Sequence, residues 1–107
     1  MLQCPPDLDR TFAALADPAR RAMLERLSDG PASASELGAP HDMTLSAVLQ
    51  HLKLLEAAGL VASEKIGRVR TFTLQSPALR DAGRWIADRR IPWERDLDRL
   101  ERLLEEE

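Results

Sequence analysis

The sequence predicts a mainly helical single domain that carries one small β-hairpin. Three observations point there. Segments within the first 58 residues repeat their apolar residues at helical spacing, separated by capping and stop signals. The pattern then switches to strand-like alternation on either side of Gly67-Arg68. Helical spacing returns from about residue 76 to the end. A length of 107 residues, 44% apolar and 31% charged, suits one soluble domain with its own core.

The first helix is expected over about 7–16, where Leu8, Phe12 and Leu15 share one face. Asp17-Pro18 supplies a cap and a first-turn proline for a second helix reaching about residue 28, with Met23, Leu24 and Leu27 as its buried stripe. Asp29-Gly30-Pro31 stops it. Ser33-Ala34-Ser35-Glu36 reads as a capping box for a short third helix, closed by Gly38-Ala39-Pro40. Thr44 caps a fourth helix over about 45–58. Its expected buried stripe is Leu45, Val48, Leu52 and Leu55, and Gly59 ends it. Two helices joined by a short turn, the second ending at glycine, make a helix-turn-helix pattern.

Residues 60–66 and 69–75 read as two strands joined by Gly67-Arg68 in a turn of the II′ kind. That register sets Ile66 against Val69, Lys65 against Arg70, Ser63 against Phe72 and Val61 against Leu74. Val61, Phe72 and Leu74 then share the core face. Lys65 and Arg70 face each other, a like-charge pair that a solvated or phosphate-gripping tip tolerates. Ser76-Pro77 caps and starts the last helix, with Leu79, Ala82 and Ile86 on one stripe. Trp93, Leu97, Leu100 and Leu104 form a second stripe at coiled-coil spacing, too apolar to leave in water. A second copy of the chain is its simplest cover, with the first helix helping. Pro92 predicts a kink or break near 88–91.

Composition removes several function classes. No apolar run approaches the roughly 18–20 residues of a membrane span. Residues 1–7 lack the basic-then-apolar order of a signal peptide. The single cysteine, Cys4, cannot form an internal disulfide, so a reducing cytoplasm is the expected compartment. No Gly-rich phosphate loop and no Ser/His/Asp or Cys/His constellation organises a reaction centre, so an enzyme is not expected. The net charge of −3 does not favour nucleic acid by itself, and its distribution, which random scatter also produces, leaves the decision to the motifs. Residues 41–75 carry four basic and three acidic residues. The segments on either side are each net acidic.

The order of elements is that of a winged helix-turn-helix. In Ala13-Ala14-Leu15-Ala16-Asp17-Pro18-Ala19-Arg20-Arg21, in the run Ser46 through Glu56, in Ala58-Gly59-Leu60-Val61 and in Gly67-Arg68, the chain resembles the ArsR family of bacterial transcriptional repressors. The resemblance is strong over about 8–75. Trp85, Trp93 and Asp98-Arg99-Leu100 are similar to a branch of that family without metal sites. It implies a homodimer on a pseudo-palindromic operator of double-stranded DNA. Residues 7–76 would form the DNA-binding core and 77–107 a dimerisation helix kinked near Pro92. The fourth helix would enter the major groove and the hairpin, or wing, would touch the flanking backbone or minor groove.

On this reading Thr44, Ser46, Ala47, Gln50 and Lys53 lie off the buried stripe of the fourth helix. Gln50 suits adenine and Lys53 suits phosphate. Thr44 acts first as a cap. Leu49 departs from the serine common in the family, and two readings stay open: contact with a thymine methyl, or packing against the third helix or the turn. Lys65, Arg68 and Arg70 form the wing set. Arg20 and Arg21 suit either phosphate or an intrachain ion pair. The expected dimer face is Leu8, Phe12, Leu15, Trp85, Trp93, Leu97, Leu100 and Leu104. The two tryptophans suit dimer packing, or a ligand pocket between the first and last helices. No cofactor and no metal are expected: residues 33–40 contain no cysteine, and His41 and His51 stand apart. His51 suits hydrogen bonding within the helix-turn-helix. The inducer is not identified. Two alternatives are a winged-helix protein-interaction module without DNA binding and a metal- or redox-responsive repressor with an atypical sensor site.

Overall fold

The computed structural model describes residues 6–89 and 92–105, except for the side chains of residues 6, 7, 92, 93 and 95. Cys4 and the Trp93 side chain therefore lie outside the described residues. Helix α1 spans Pro6–Leu15 and α2 Pro18–Leu27. A two-residue strand β1, Ala32–Ser33, leads into α3, Ala34–Gly38. Then follow α4 (Leu45–Ala57), β2 (Val61–Ile66), β3 (Val69–Leu74), α5 (Ser76–Ala87) and α6 (Pro92–Glu105). Among the described residues, no helix is long and apolar enough to cross a membrane.

The helix boundaries follow from local chemistry. Asp17 Oδ1 accepts the Arg20 backbone N–H at 3.1 Å and Pro18 occupies the first turn of α2. Ser33 Oγ accepts the Glu36 N–H and Glu36 Oε1 accepts the Ser33 N–H, both at 3.2 Å, which completes the expected capping box. Thr44 Oγ1 accepts the Ala47 N–H at 3.1 Å. At the other end of α4, Gly59 has φ +75°. The Leu60 N–H reaches the Leu55 carbonyl and the Gly59 N–H the Glu56 carbonyl, both at 3.0 Å. This is the paired closure that a left-handed residue permits. Leu60 is then carried straight into the core.

The sheet has three strands in the order β1-β3-β2, all antiparallel. This corrects the expected two-stranded hairpin: Ala32 pairs with Phe72 and Ser33 with Thr71. The hairpin register is the expected one throughout, from Val61 against Leu74 to Ile66 against Val69. Gly67 has φ +64° and Arg68 does not have positive φ, as a type II′ turn requires. One core gathers Met23, Leu24 and Leu27 of α2, Leu37 of α3, Val48, Leu52 and Leu55 of α4, and Leu60, Val61 and Phe72 of the sheet.

Three further expectations are corrected. Leu45 does not belong to the buried stripe; it is 55% exposed. Ser76 does not cap the helix that follows. Gln75 holds the cap position without a side-chain bond, and Ser76 is the first helical residue, its Oγ accepting from Arg80 at 3.3 Å. The break expected near 88–91 is there, with α5 ending at Ala87 and Pro92 opening α6. On α5, Ala82 is buried and Leu79 leans on the core, but Ile86 is exposed and Trp85 faces inward in its place.

Candidate nucleic-acid interface

Helix α4 buries Val48, Leu52 and Leu55, and residues flanking that stripe stay in solvent. Leu45, Ser46, Leu49, Gln50 and Lys53 line one shallow open face there. Their spacing of three and four residues stacks them along about two turns. Leu49 is 44% exposed, so the packing alternative for it is overturned. Leu45 joins this face although the periodicity assigned it to the core. Ala47 is only half-buried and lies beside the face, outside its lining. Thr44 is exposed, with its hydroxyl oxygen committed to the Ala47 N–H.

The wing projects Lys65, Ile66, Gly67, Arg68, Val69 and Arg70 into solvent. Lys65 and Arg70 oppose each other in the ladder. Arg70 is not a free tip charge. Its Nη1 donates to Ser63 Oγ at 2.9 Å, and the Ser63 hydroxyl donates to Glu56 Oε2 at 3.1 Å. That relay ties the wing strands to the last turns of α4. Sequence reasoning missed Ser63 and Glu56 because their partners lie seven residues away and meet only once β2 folds back past α4. It also missed Ile66 and Val69 as an exposed apolar pair at the tip.

Arg20 takes the intrachain ion-pair option, with Asp17, whereas Arg21 bonds a backbone carbonyl. Arg20 Nε donates to the Ala14 carbonyl at 2.7 Å and Nη2 to the Ala13 carbonyl at 3.2 Å. Its Nη1 lies 3.3 Å from Nδ1 of His51 and 3.9 Å from Asp17 Oδ2. Arg21 Nη1 donates to the Leu15 carbonyl at 2.6 Å. Both arginines therefore close the exposed carbonyls at the end of α1, where cations are also favoured by the helix dipole. The Arg20 backbone N–H holds the Asp17 carboxyl below the usual carboxylate range. His51 bonds across to α2 and does not stay within the helix-turn-helix unit.

On the far side of the domain, Phe12 of α1 meets Trp85 of α5 edge to face, with ring centroids 5.6 Å apart. Arg89 covers the Trp85 ring at 4.9 Å. Leu8 is buried and Leu15 packs on the core, so both already serve the single subunit. Trp85 also borders a cleft of about 610 Å³ between α1, the end of α4 and α5, lined by Leu8, Thr11, Ala58 and Ala78 among others. On α6, Leu97, Leu100 and Leu104 are all exposed, and so is Leu103, which the heptad reading left out.

Comparison with known proteins adds to this geometry. A helix-turn-helix domain model matches residues 15–64. The chain is 42% identical over 71 residues to the HTH-type transcriptional regulator Rv2034 of Mycobacterium tuberculosis, a match spanning 66% of each chain. The crystal structure of the ArsR family transcriptional regulator RHA00566 superimposes with a TM-score of 0.79 at 44% identity, over 88% of this chain and 97% of that one. A homodimeric winged helix-turn-helix DNA-binding domain of Mb0332 from Mycobacterium bovis superimposes with a TM-score of 0.61 at 25% identity, over 76% of this chain and 72% of that one.

Proposed function

The chain belongs to the ArsR family of transcriptional regulators, and on that premise we propose that it is a homodimeric repressor acting in the cytoplasm on a pseudo-palindromic operator. The observation that carries this reading is the solvent face of α4. Gln50 and Lys53 stand on it, and Ser46 and Leu49 line it. Gln50 offers the donor–acceptor pair that matches an adenine edge, Leu49 an apolar contact for a thymine methyl, and Lys53 a phosphate charge. Lys65, Arg68 and Arg70 on the wing give the positive charge that flanking phosphates require. Half-sites roughly 34 Å apart would receive the two α4 helices of a dimer. Phe12, Trp85 and the α6 leucines, with the Trp93 position in the same heptad, supply the dimer face. The exposed apolar side chains Leu45, Ile66 and Val69 favour, as a second reading, a protein partner on the same surface.

Fluorescence-anisotropy titration on the chain's own promoter DNA, over a salt series, tests the first reading. Affinity should exceed that for random duplex by on the order of a thousandfold and fall steeply with salt. Arg68→Ala should weaken binding to all sequences and flatten the salt slope by about one unit. Gln50→Ala should cost about 1–3 kcal/mol and relax preference at one base position. Equal affinity for promoter and random duplex overturns the reading. Protein capture without a DNA footprint supports the second.

A further inference from the structure

Arg20 joins three helices at once. Its backbone N–H sits on the Asp17 cap of α2. Its guanidinium closes the Ala13 and Ala14 carbonyls in the last turn of α1 and meets His51 in the middle of α4. The side chain is only 14% exposed. A guanidinium has donors and no acceptor, so in this contact Nδ1 of His51 is the acceptor. His51 directly follows Gln50 and lies within a turn of Ala47 and Lys53. Any shift of His51 therefore carries the outward face of α4 with it. On the stripe beside His51, α4 is held by Val48, Leu52 and Leu55 in the core, which keep the helix folded but grip that side only. Arg21 makes a related bond to the end of α1, through the Leu15 carbonyl.

We propose that Arg20 is a positioning residue for DNA recognition: through His51 it sets the angle of α4 against α1, and so the separation of the two α4 helices in the dimer. The inference rests on the DNA-binding reading above and deepens it. Helix α1 packs on α5 through Phe12 and Trp85. The Arg20 junction therefore joins the helices assigned to the dimer face to the helix assigned to the groove. Loosening it broadens the range of α4 separations and blurs the distinction between correctly and incorrectly spaced half-sites. Loss of an ordinary structural contact would lower all affinities together.

The test uses the full chain and a duplex enriched from a random-sequence pool by the wild type. Affinity is measured for that duplex, for versions with one base pair added or removed between the half-sites, and for random duplex. Arg20→Met and His51→Leu should each bind the parent duplex roughly fivefold more weakly and bring the spacing variants closer to it, while random-duplex affinity stays within about twofold. The double variant should be no worse than either single one. His51→Asn, which keeps an acceptor near the Nδ1 position, should restore the spacing preference, and Arg21→Ala should leave it intact. Undiminished spacing preference in His51→Leu, or an equal loss in Arg21→Ala, overturns the proposal. His51 is half-buried and lies outside the core cluster, so its variants decide the matter even where Arg20→Met does not fold. A wild type that enriches no sequence removes the DNA-binding reading and this proposal with it. A wild type that does, beside variants that match it, removes only the junction.

Discussion

Gly38 closes α3 where that helix meets α4. A Cβ built there would stand 2.6 Å from Cγ2 of Val48, well inside contact distance. Val48 is buried and cannot swing aside. Gly38→Ala should therefore destabilise the fold by about 1–3 kcal/mol, the usual cost of overpacking. Gly83 in α5 has nothing within 4 Å of where a Cβ would stand, so Gly83→Ala should stabilise by about 0.5–1 kcal/mol through helix propensity alone. Urea melts of both variants check the opposite signs, and a neutral Gly38→Ala would mean that α3 can slide off α4. Single residues also show where a sequence misleads. Leu45 lies within about 20° of Leu52 around the helix but about 10 Å nearer its start, so it shares the direction of the core and runs past its edge. Ser46, Gln50 and Lys53 were legible because the buried stripe defines its opposite face. The Arg20–His51 contact was not, because 31 residues separate the pair and only the packed fold brings them together.

At the scale of elements, the helix boundaries that were readable are those written in adjacent residues. Asp17-Pro18, Ser33 with Glu36, Thr44 and Gly59 each satisfy backbone groups within their own turn, so the signal needs no tertiary context. Strand β1 was not readable. Its two residues have no alternating pattern and become a strand only by pairing with β3. The α3 cap yields a pH prediction. The Ser33 backbone N–H, and then its hydroxyl, hold the Glu36 carboxyl below the usual carboxylate range. In acid the unfolded chain therefore takes up this proton before the folded chain does. The cap's charged contribution is present above the unfolded value and is lost as pH falls through the folded one. Glu36→Gln keeps an acceptor for the Ser33 N–H but cannot titrate. Thermal melts from pH 7 to pH 3 should show the wild type losing its advantage over Glu36→Gln in the acid range. A gap that is constant with pH would mean that the charge of Glu36 contributes nothing.

The whole molecule is extended for its length. Its radius of gyration is 18.0 Å, against about 13 Å for a compact chain of this size, and its longest dimension is 58 Å. Helix α6 accounts for the excess: among the described residues, no element packs substantially on it. Leu97, Leu100, Leu103 and Leu104 on it are between 49% and 65% exposed. Fourteen residues make a marginal helix in water without tertiary packing, and four exposed leucines add an apolar patch that favours association. A second copy that covers this stripe resolves both problems and joins it to the α1–α5 face. Leu100→Glu places a charge in the middle of the stripe, with Leu97 and Leu104 on either side. Sedimentation should then show the wild type as a dimer and the variant as a single subunit with reduced helix content. The consequence reaches DNA. A single subunit neutralises half the phosphates that a dimer does, so the slope of log affinity against log salt should fall by about half, along with the loss of affinity. A variant that remains dimeric would locate the association in Phe12, Trp85 and the rest of the α1–α5 face. A variant that is monomeric yet keeps the full salt slope would separate DNA binding from dimerisation altogether.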